Sequence, residues 1–205
     1  MTAVSPPQPP FDSARTRVPP TPRQAALLDG LVELVLAEGF ARFTLDDLAA
    51  RMHCSKSTLY ALAPSKAQLA VKVVAQFFRG ASERIEKRIA GRQDARELIA
   101  SYLEGVTEEL SGASPTFIAD VAAFPPARAI YQRNSRAAAE RIRSFIRQGV
   151  EDGTFRDVHA KLIAEMAALL IEGIQTGVLA ERTGVSDAEA FTALSELLLG
   201  GLEKT

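Results

Sequence analysis

From Arg23 onward the apolar residues recur every three or four positions and nowhere alternate, which restricts the chain to packed helices. Leu27, Leu28, Leu31, Val32, Leu34 and Val35 make one broad apolar face that stops at Gly39, a residue suited to ending a helix. Thr44 has the side chain of an N-cap, and Asp46 and Asp47 in the next turn favour the positive end of a helix. A short helix is expected from Ser55. A longer one is expected from Ser65 to about Ala90, along which Leu69, Val73 and Phe77 keep helical spacing. Further helices are expected over residues 94–110, 116–122, 126–152, 158–182 and 186–202, separated by Gly, Pro and Ser signals. The expected fold class is all-α, with about nine helices.

Residues 1–22 differ from the rest. Seven prolines and few apolar residues leave them no means of burying a core, so they read as a disordered or polyproline-like arm. Arg15, Arg17 and Arg23 are either solvated tail charges or a basic arm able to reach a minor groove. The change of character at Gly91 divides the remainder into residues 23–90 and 91–205. Net charge is only −1, but the two halves differ. Residues 1–90 hold 12 Lys and Arg against 8 Asp and Glu, and residues 91–205 hold 12 against 17. A basic amino-terminal part on an acidic body suits a DNA-contacting head.

Several function classes are disfavoured by composition. No apolar run approaches the roughly 18 residues that cross a bilayer. Residues 1–12 have neither the basic patch nor the apolar stretch of a secretory signal. The single cysteine, Cys54, leaves no disulfide framework and fits a reducing, cytoplasmic setting. Two histidines and one cysteine are poor material for a metal site, and no glycine-rich phosphate loop occurs, so no metal, cofactor or catalytic residue is expected. His53-Cys54 could hint at a ligand pair, but with no third ligand Cys54 reads as a small buried hydrophobe. His159 reads as a surface or helix-end residue. The arginines 128, 133, 136, 141, 143 and 147 either bind an acidic effector or form the solvated side of a long amphipathic helix carrying Ile142, Phe145 and Ile146.

Residues 44–62 have the spacing of a helix-turn-helix. Two short helices that cross closely need one small residue in the first helix, and Ala49 supplies it. The inward positions around it, Leu48, Met52, Cys54, Leu59 and Leu62, are all apolar. Ser55 can cap the second helix, whose outward residues are Lys56, Ser57, Thr58, Tyr60 and Ala61. The stretch from Gly39 to Val74, within a match over roughly residues 24–75, resembles the DNA-binding domain of the TetR family of bacterial regulators. Thr44 to Ala49 resemble the family's first motif helix, Ser55 to Tyr60 its recognition helix, and Pro64-Ser65-Lys66 with Leu69 the start of its fourth helix.

The resemblance implies a sequence-specific regulator that binds double-stranded DNA at a near-palindromic operator. Its contacts would come from Thr44, Ser55, Lys56, Ser57, Thr58, Tyr60 and Lys66. Thr44, Tyr60 and Lys66 would touch phosphates, and Lys56 and Thr58 bases or phosphates. Three residues depart from the family pattern. His53 stands at a turn position usually held by glycine, so it either accepts a left-handed backbone or changes the turn. Leu62 and Ala63 replace a polar or aromatic residue and a core phenylalanine, which removes one phosphate contact and some packing volume.

For residues 91–205 the resemblance implies effector binding and homodimerisation through the last two helices. Ile163, Met166, Ala167, Leu170, Ile174 and Val178 would line one of them, and Phe191, Leu194, Leu197, Leu198 and Leu202 the other. Gly173, Gly177 and Gly200 would permit close approach. Candidate ligand-binding residues are Tyr102, Val106, Phe117, Phe124, Tyr131, Phe145 and Ile171, with Gln175 as a polar handle; each also fits a plain core. They suit a small, mainly apolar effector whose binding releases a repressor from DNA. The alternatives are a helical ligand-binding or adaptor protein that has lost specific DNA binding and, without a supporting constellation, a helical enzyme.

Overall fold

The computed structural model describes residues 21–156 and 160–202, of which Ala160 is described in its backbone alone. Most of the proline-rich arm and His159 lie outside the described residues. Among those residues the chain is all-α, as expected, with ten helices: α1 (Pro22–Glu38), α2 (Leu45–Arg51), α3 (Lys56–Leu62), α4 (Lys66–Ile89), α5 (Ala95–Ser111), α6 (Pro115–Ala123), α7 (Pro125–Glu151), α8 (Ala160–Gln175), α9 (Val178–Thr183) and α10 (Asp187–Leu202).

Local chemistry sets the starts. Thr21, Thr44, Ser55, Ser65, Asp94 and Ser114 each cap one of the first six helices, their side-chain oxygens accepting backbone N–H groups that have no partner within the helix. α1 begins inside the proline-rich stretch, with Pro22 at a first-turn position where the missing N–H costs nothing. At the start of α2, Thr44 and Asp47 satisfy each other's backbone reciprocally. The Thr44 hydroxyl and then its backbone N–H, both donating to the Asp47 carboxylate, hold that carboxyl below its ordinary range.

The helix expected over residues 158–182 is two. Gly177 adopts φ 75°, ψ 1°, its N–H donates to the Ile174 carbonyl, and α9 starts after it. Apolar periodicity persists through such a break, so only the glycine marks it. A Cβ at Gly177 or Gly200 would meet nothing within 4 Å, so within one chain neither glycine serves a close approach; Gly177 serves the turn.

Two apolar clusters form the interior. The first joins α1, α2, α3 and the first half of α4 to Phe117 and Val121 of α6 and to Ala127, Ile130 and Tyr131 at the start of α7. The second gathers Ile85 and Ile89 of α4 with α5, the rest of α7, α8 and α10. α4, 24 residues and so roughly 36 Å long, runs through both, and α7 does the same. Packing thus crosses the sequence division near residue 90: α6 and the first turns of α7 complete the core of the amino-terminal head. Ion pairs strap α4 to its neighbours, Arg84 to Glu109 and Arg88 to Glu104 of α5, and Glu86 to Arg141 of α7. Among the described residues no helix is long and apolar enough to cross a membrane.

Most of the residues expected to line a dimer interface point into this second cluster. Ala167, Ile174, Phe191, Leu194, Leu198 and Leu202 are buried within the chain, and Ile163 and Leu170 are partly so. Met166, Val178 and Leu197 are exposed, with Leu162 and Leu169 beside them. The outer face of α8 therefore reads Leu162, Met166, Leu169, one register position away from the inward row.

Candidate nucleic-acid interface and cavity

α2 and α3 cross where Ala49 is buried, with Leu48, Leu59 and Leu62 closing the contact and Met52 and Cys54 half-buried at its edge. His53 occupies the turn with φ 49°, accepting the left-handed backbone that glycine usually supplies. Its neighbour's N–H, that of Cys54, still closes the turn onto the Ala49 carbonyl at 2.9 Å. Leu62 and Ala63 both go inward: Leu62 is buried, and Ala63 is a buried, extended C-cap of α3.

This frame presents Lys56, Ser57 and Tyr60 on the outer face of α3, with Tyr60 51% exposed for a large aromatic residue. Thr58 is half-buried. The hydroxyl groups of Ser55, Ser57 and Thr58 form a small network, with Ser55 Oγ 2.7 Å from Ser57 Oγ and 2.8 Å from Thr58 Oγ1. Lys56 Nζ lies 2.6 Å from Asp46 Oδ1 of α2, and that carboxylate raises the lysine's pKa. Lys66, at the start of α4, donates to the Ala41 carbonyl at 2.7 Å. Thr44, Ser55 and Lys66 all lie at helix N-termini, where free N–H groups and the helix dipole favour an anion. Of the expected contact residues, Thr44, Ser55, Lys56, Ser57 and Tyr60 are exposed on the head, and Thr58 and Lys66 are half-buried.

Sequence reading missed three further cations there. Arg42 and Arg51 both pair with Glu38, and both guanidinium groups lie over the Phe43 ring, at 4.8 and 5.5 Å. Lys72 donates to the Leu62 carbonyl at 2.9 Å, closing the end of α3. In the sequence only Arg42 adjoins Phe43, and Arg51 reaches the ring from the end of α2.

A cavity of about 40 Å³ lies between α4, α5, α7 and α10. Phe77, Phe78, Ser82 and Ile85 of α4 line one wall, and Tyr102, Val106 and Glu109 of α5 another. Tyr131, Asn134, Ser135 and Ala138 of α7 with Phe191 of α10 complete it. Tyr131 stacks on Phe78 with centroids 5.3 Å apart and donates its hydroxyl to Asp187 at 2.6 Å. Burial raises the pKa of both Tyr131 and Asp187. Ser82 donates to Asn134 at 3.0 Å, and Glu109 is held by Arg84 through two 2.6 Å bonds.

Of the candidate ligand-binding residues, Tyr102, Val106 and Tyr131 meet at this cavity, and Phe145 packs edge-on against Tyr102 at 5.8 Å. Phe117 sits in the head cluster against Phe77, and Phe124 against Phe40. Ile171 is buried in the second cluster, and Gln175 is half-buried at the end of α8. Sequence reading missed the α4 wall, Glu109, Phe191 and, on α7, Asn134, Ser135 and Ala138, small or polar residues that interrupt an inward row between Tyr131 and Ile142. Of the α7 arginines, Arg141 binds the Glu86 carboxylate, Arg143 those of Glu140 and Glu165, and Arg147 that of Glu151, while Arg136 donates to the Gln132 carbonyl.

Comparison with known proteins covers both parts of the chain. Residues 27–73 match the family model described as bacterial regulatory proteins, tetR family, and residues 90–202 match that of the BetI-type transcriptional repressor, C-terminal. No curated protein sequence matches. Among solved structures, a transcriptional regulator from Saccharomonospora viridis in complex with choline superposes with a TM-score of 0.70 at 20% identity, over 89% of this chain and 98% of the other. PfmR, a TetR family regulator from Thermus thermophilus, gives 0.58 at 22% identity, over 87% and 99%. FadR from Bacillus subtilis, in complex with stearoyl-CoA, gives 0.61 at 16% identity, over 87% and 99%. With a helix-turn-helix head and a helical body each matched by its own family model, the chain belongs to the TetR family of DNA-binding transcriptional regulators.

Proposed function

We propose that two copies of this chain bind a near-palindromic operator as a repressor and leave it when a small, mainly apolar effector enters the cavity beside α4. The observation that carries this reading is the position of α4. It lines the cavity with Phe77, Phe78 and Ile85, and its first turn holds the head through Lys66. A volume of about 40 Å³ has room for roughly three waters. An effector of hundreds of Å³ therefore enters only when α4, α5 and α7 part. Moving α4 moves the head, and two recognition helices must stand about 34–36 Å apart to reach successive major grooves. The effector shifts the balance by its preference for the parted form.

Thr44, Tyr60 and Lys66 take phosphates in this reading, while Lys56 leaves Asp46 to reach bases with Thr58, Ser55 and Ser57 beside it. Dimerisation is supported by the outer face of α8 and α10, where Leu162, Met166, Leu169 and Leu197 are each more than half exposed.

A second reading of the effector, an organic cation, is favoured by the chemistry of the walls. Phe77, Phe78, Tyr102, Tyr131 and Phe191 present aromatic rings, and among the described residues lining the cavity none is Lys or Arg, while the Glu109 carboxylate there is engaged by Arg84 from outside the lining. The Saccharomonospora viridis relative is in complex with choline, itself a cation.

A binding selection with purified protein and fragments of the chain's own genome, read at two salt concentrations, tests the proposal. Enrichment of a near-palindromic site, weakened by salt, is the expected result. Folded, dimeric protein that enriches no site would instead leave a ligand-binding or adaptor module. A Tyr60→Phe, Lys66→Ala variant should stay dimeric and lose operator affinity; unchanged affinity refutes the assigned contacts.

A further inference from the structure

We infer that Asp120 of α6 is a positioning residue for operator binding, acting as a second mechanical link between body and head beside α4. The carboxylate oxygen Oδ2 of Asp120 accepts two consecutive backbone N–H groups of the turn between α1 and α2, Phe40 at 2.6 Å and Ala41 at 2.8 Å. The two residues are about 80 positions away in sequence, so the contact is tertiary and not a helix cap. A third bond runs alongside: the Ser114 N–H, at the start of α6, donates to the Leu36 carbonyl at 2.9 Å.

The turn is shaped around this carboxylate. Gly39 has φ 76°, and a Cβ built there would stand 2.6 Å from Asp120 Oδ2 and 2.7 Å from Thr116 Cγ2. Glycine is thus required twice, for the backbone and for the approach of α6. Lys66 holds the same turn from the other side through the Ala41 carbonyl. The Phe40-Ala41 segment is therefore gripped by α4 at its oxygen and by α6 at its nitrogens. Thr44, the cap of α2, follows three residues later. Because α6 leads directly into α7, which lines the cavity with Tyr131, Asn134 and Ser135, parting α7 from α4 pulls on this grip as well.

A charge-assisted bond shared by two amides is stronger and more directional than packing alone. Its role is to fix the angle at which the head meets the body, and so the spacing of two heads on one duplex. This role rests on the operator reading above, and the test separates them. Wild type, Asp120→Asn and Ile118→Ala, each as the full chain, are compared for affinity to the selected operator and to unrelated duplex, and for hydrogen exchange at the Phe40 and Ala41 amides. Asparagine keeps the volume and loses the charge; Ile118→Ala weakens apolar packing of α6 without touching the acceptor.

For Asp120→Asn, exchange at both amides should rise, and operator affinity should fall about tenfold, the worth of one charged hydrogen bond, while binding to unrelated duplex is unchanged. Ile118→Ala should lower the melting temperature and keep the ratio of specific to non-specific affinity. Equal losses on both duplexes, or operator affinity unchanged in Asp120→Asn, overturn the positioning role alone. Wild type that prefers no site overturns the operator reading, and this role with it.

Discussion

The head and the body of this chain bury apolar residues equally well but close their cores differently. In the head, α2 and α3 meet over Ala49, Leu59 is fully enclosed, and the helix starts at Thr44, Ser55 and Ser65 are each capped by their own side chain. The body leaves a cavity, lined by Ser82, Asn134 and Ser135, where its core meets Phe77, Phe78 and Tyr131 of the head cluster, and it leaves a row of leucine and methionine on the outside of α8. A head complete in one chain can be carried as a rigid reader. A body incomplete in two places is where a second copy and an effector act.

The largest test of this contrast is on the outer row. Leu169 is 66% exposed, so Leu169→Glu removes nothing from the fold of one chain. Two carboxylates brought together in an apolar interface would separate the copies. Sedimentation should show a monomer of unchanged helicity, and operator affinity should fall roughly 100-fold as the second half-site is lost. A variant that remains dimeric would place the interface elsewhere.

The same enlargement in both cores gives a smaller effect of opposite sign. Ala49→Leu, at the crossing of α2 and α3, should cost about 1–3 kcal/mol by overpacking. Ala138→Leu, facing the cavity, should be neutral or stabilise by about 1 kcal/mol by filling it. Chemical denaturation of both variants checks this, and equal losses would mean that the cavity walls do not yield.

Alkaline pH should probe the seam where the two clusters meet. Tyr131 is buried with its hydroxyl donating to Asp187, and burial raises its pKa well above the ordinary 10.0. The unfolded chain loses that proton first, so the native state binds more protons above this pH and stability falls as pH rises. Tyr131→Phe should make the fall between about pH 10 and 11 shallower, whatever constant loss the missing bond brings. Tyr102, buried in the second cluster, has its pKa raised by the same cause and keeps part of the slope. An unchanged slope would assign the alkaline loss to other groups.

How much of this was legible in the sequence follows the same division. The head's features are local: a cap and its acceptor lie three residues apart, and the small residue at a helix crossing has a fixed place in the motif. Thr44, Ala49, Ser55 and Ser65 could therefore be read directly. The body's features are relations between helices. Periodicity found α5 to α8 and α10 but ran through the break at Gly177, and it could not tell the inner row of α8, Ala167 and Ile174, from the outer row one position away. The cavity escaped because its walls come from four helices, and Asp120 because its partners lie about 80 residues distant. Phe117 and Phe124 suit an effector pocket by composition, yet they pack into the head, since α6 lies against α1 rather than along the cavity.

The smallest expected effect concerns the one place where the head is strained. His53 holds φ 49°, a region that costs a residue with a Cβ about 1 kcal/mol relative to glycine. The side chain is exposed, so His53→Gly forfeits no packing. Glycine also gives the unfolded chain more freedom, which offsets part of the relief and leaves a net gain of about 0.5 kcal/mol. The melting transition should rise slightly while operator affinity stays constant, because the Cys54 N–H still closes the turn onto Ala49. A lower melting temperature would mean that the imidazole itself holds the turn. Unchanged stability with altered affinity would mean that His53 touches DNA, which would bring the turn into the reading surface and leave the head less self-contained than its packing implies.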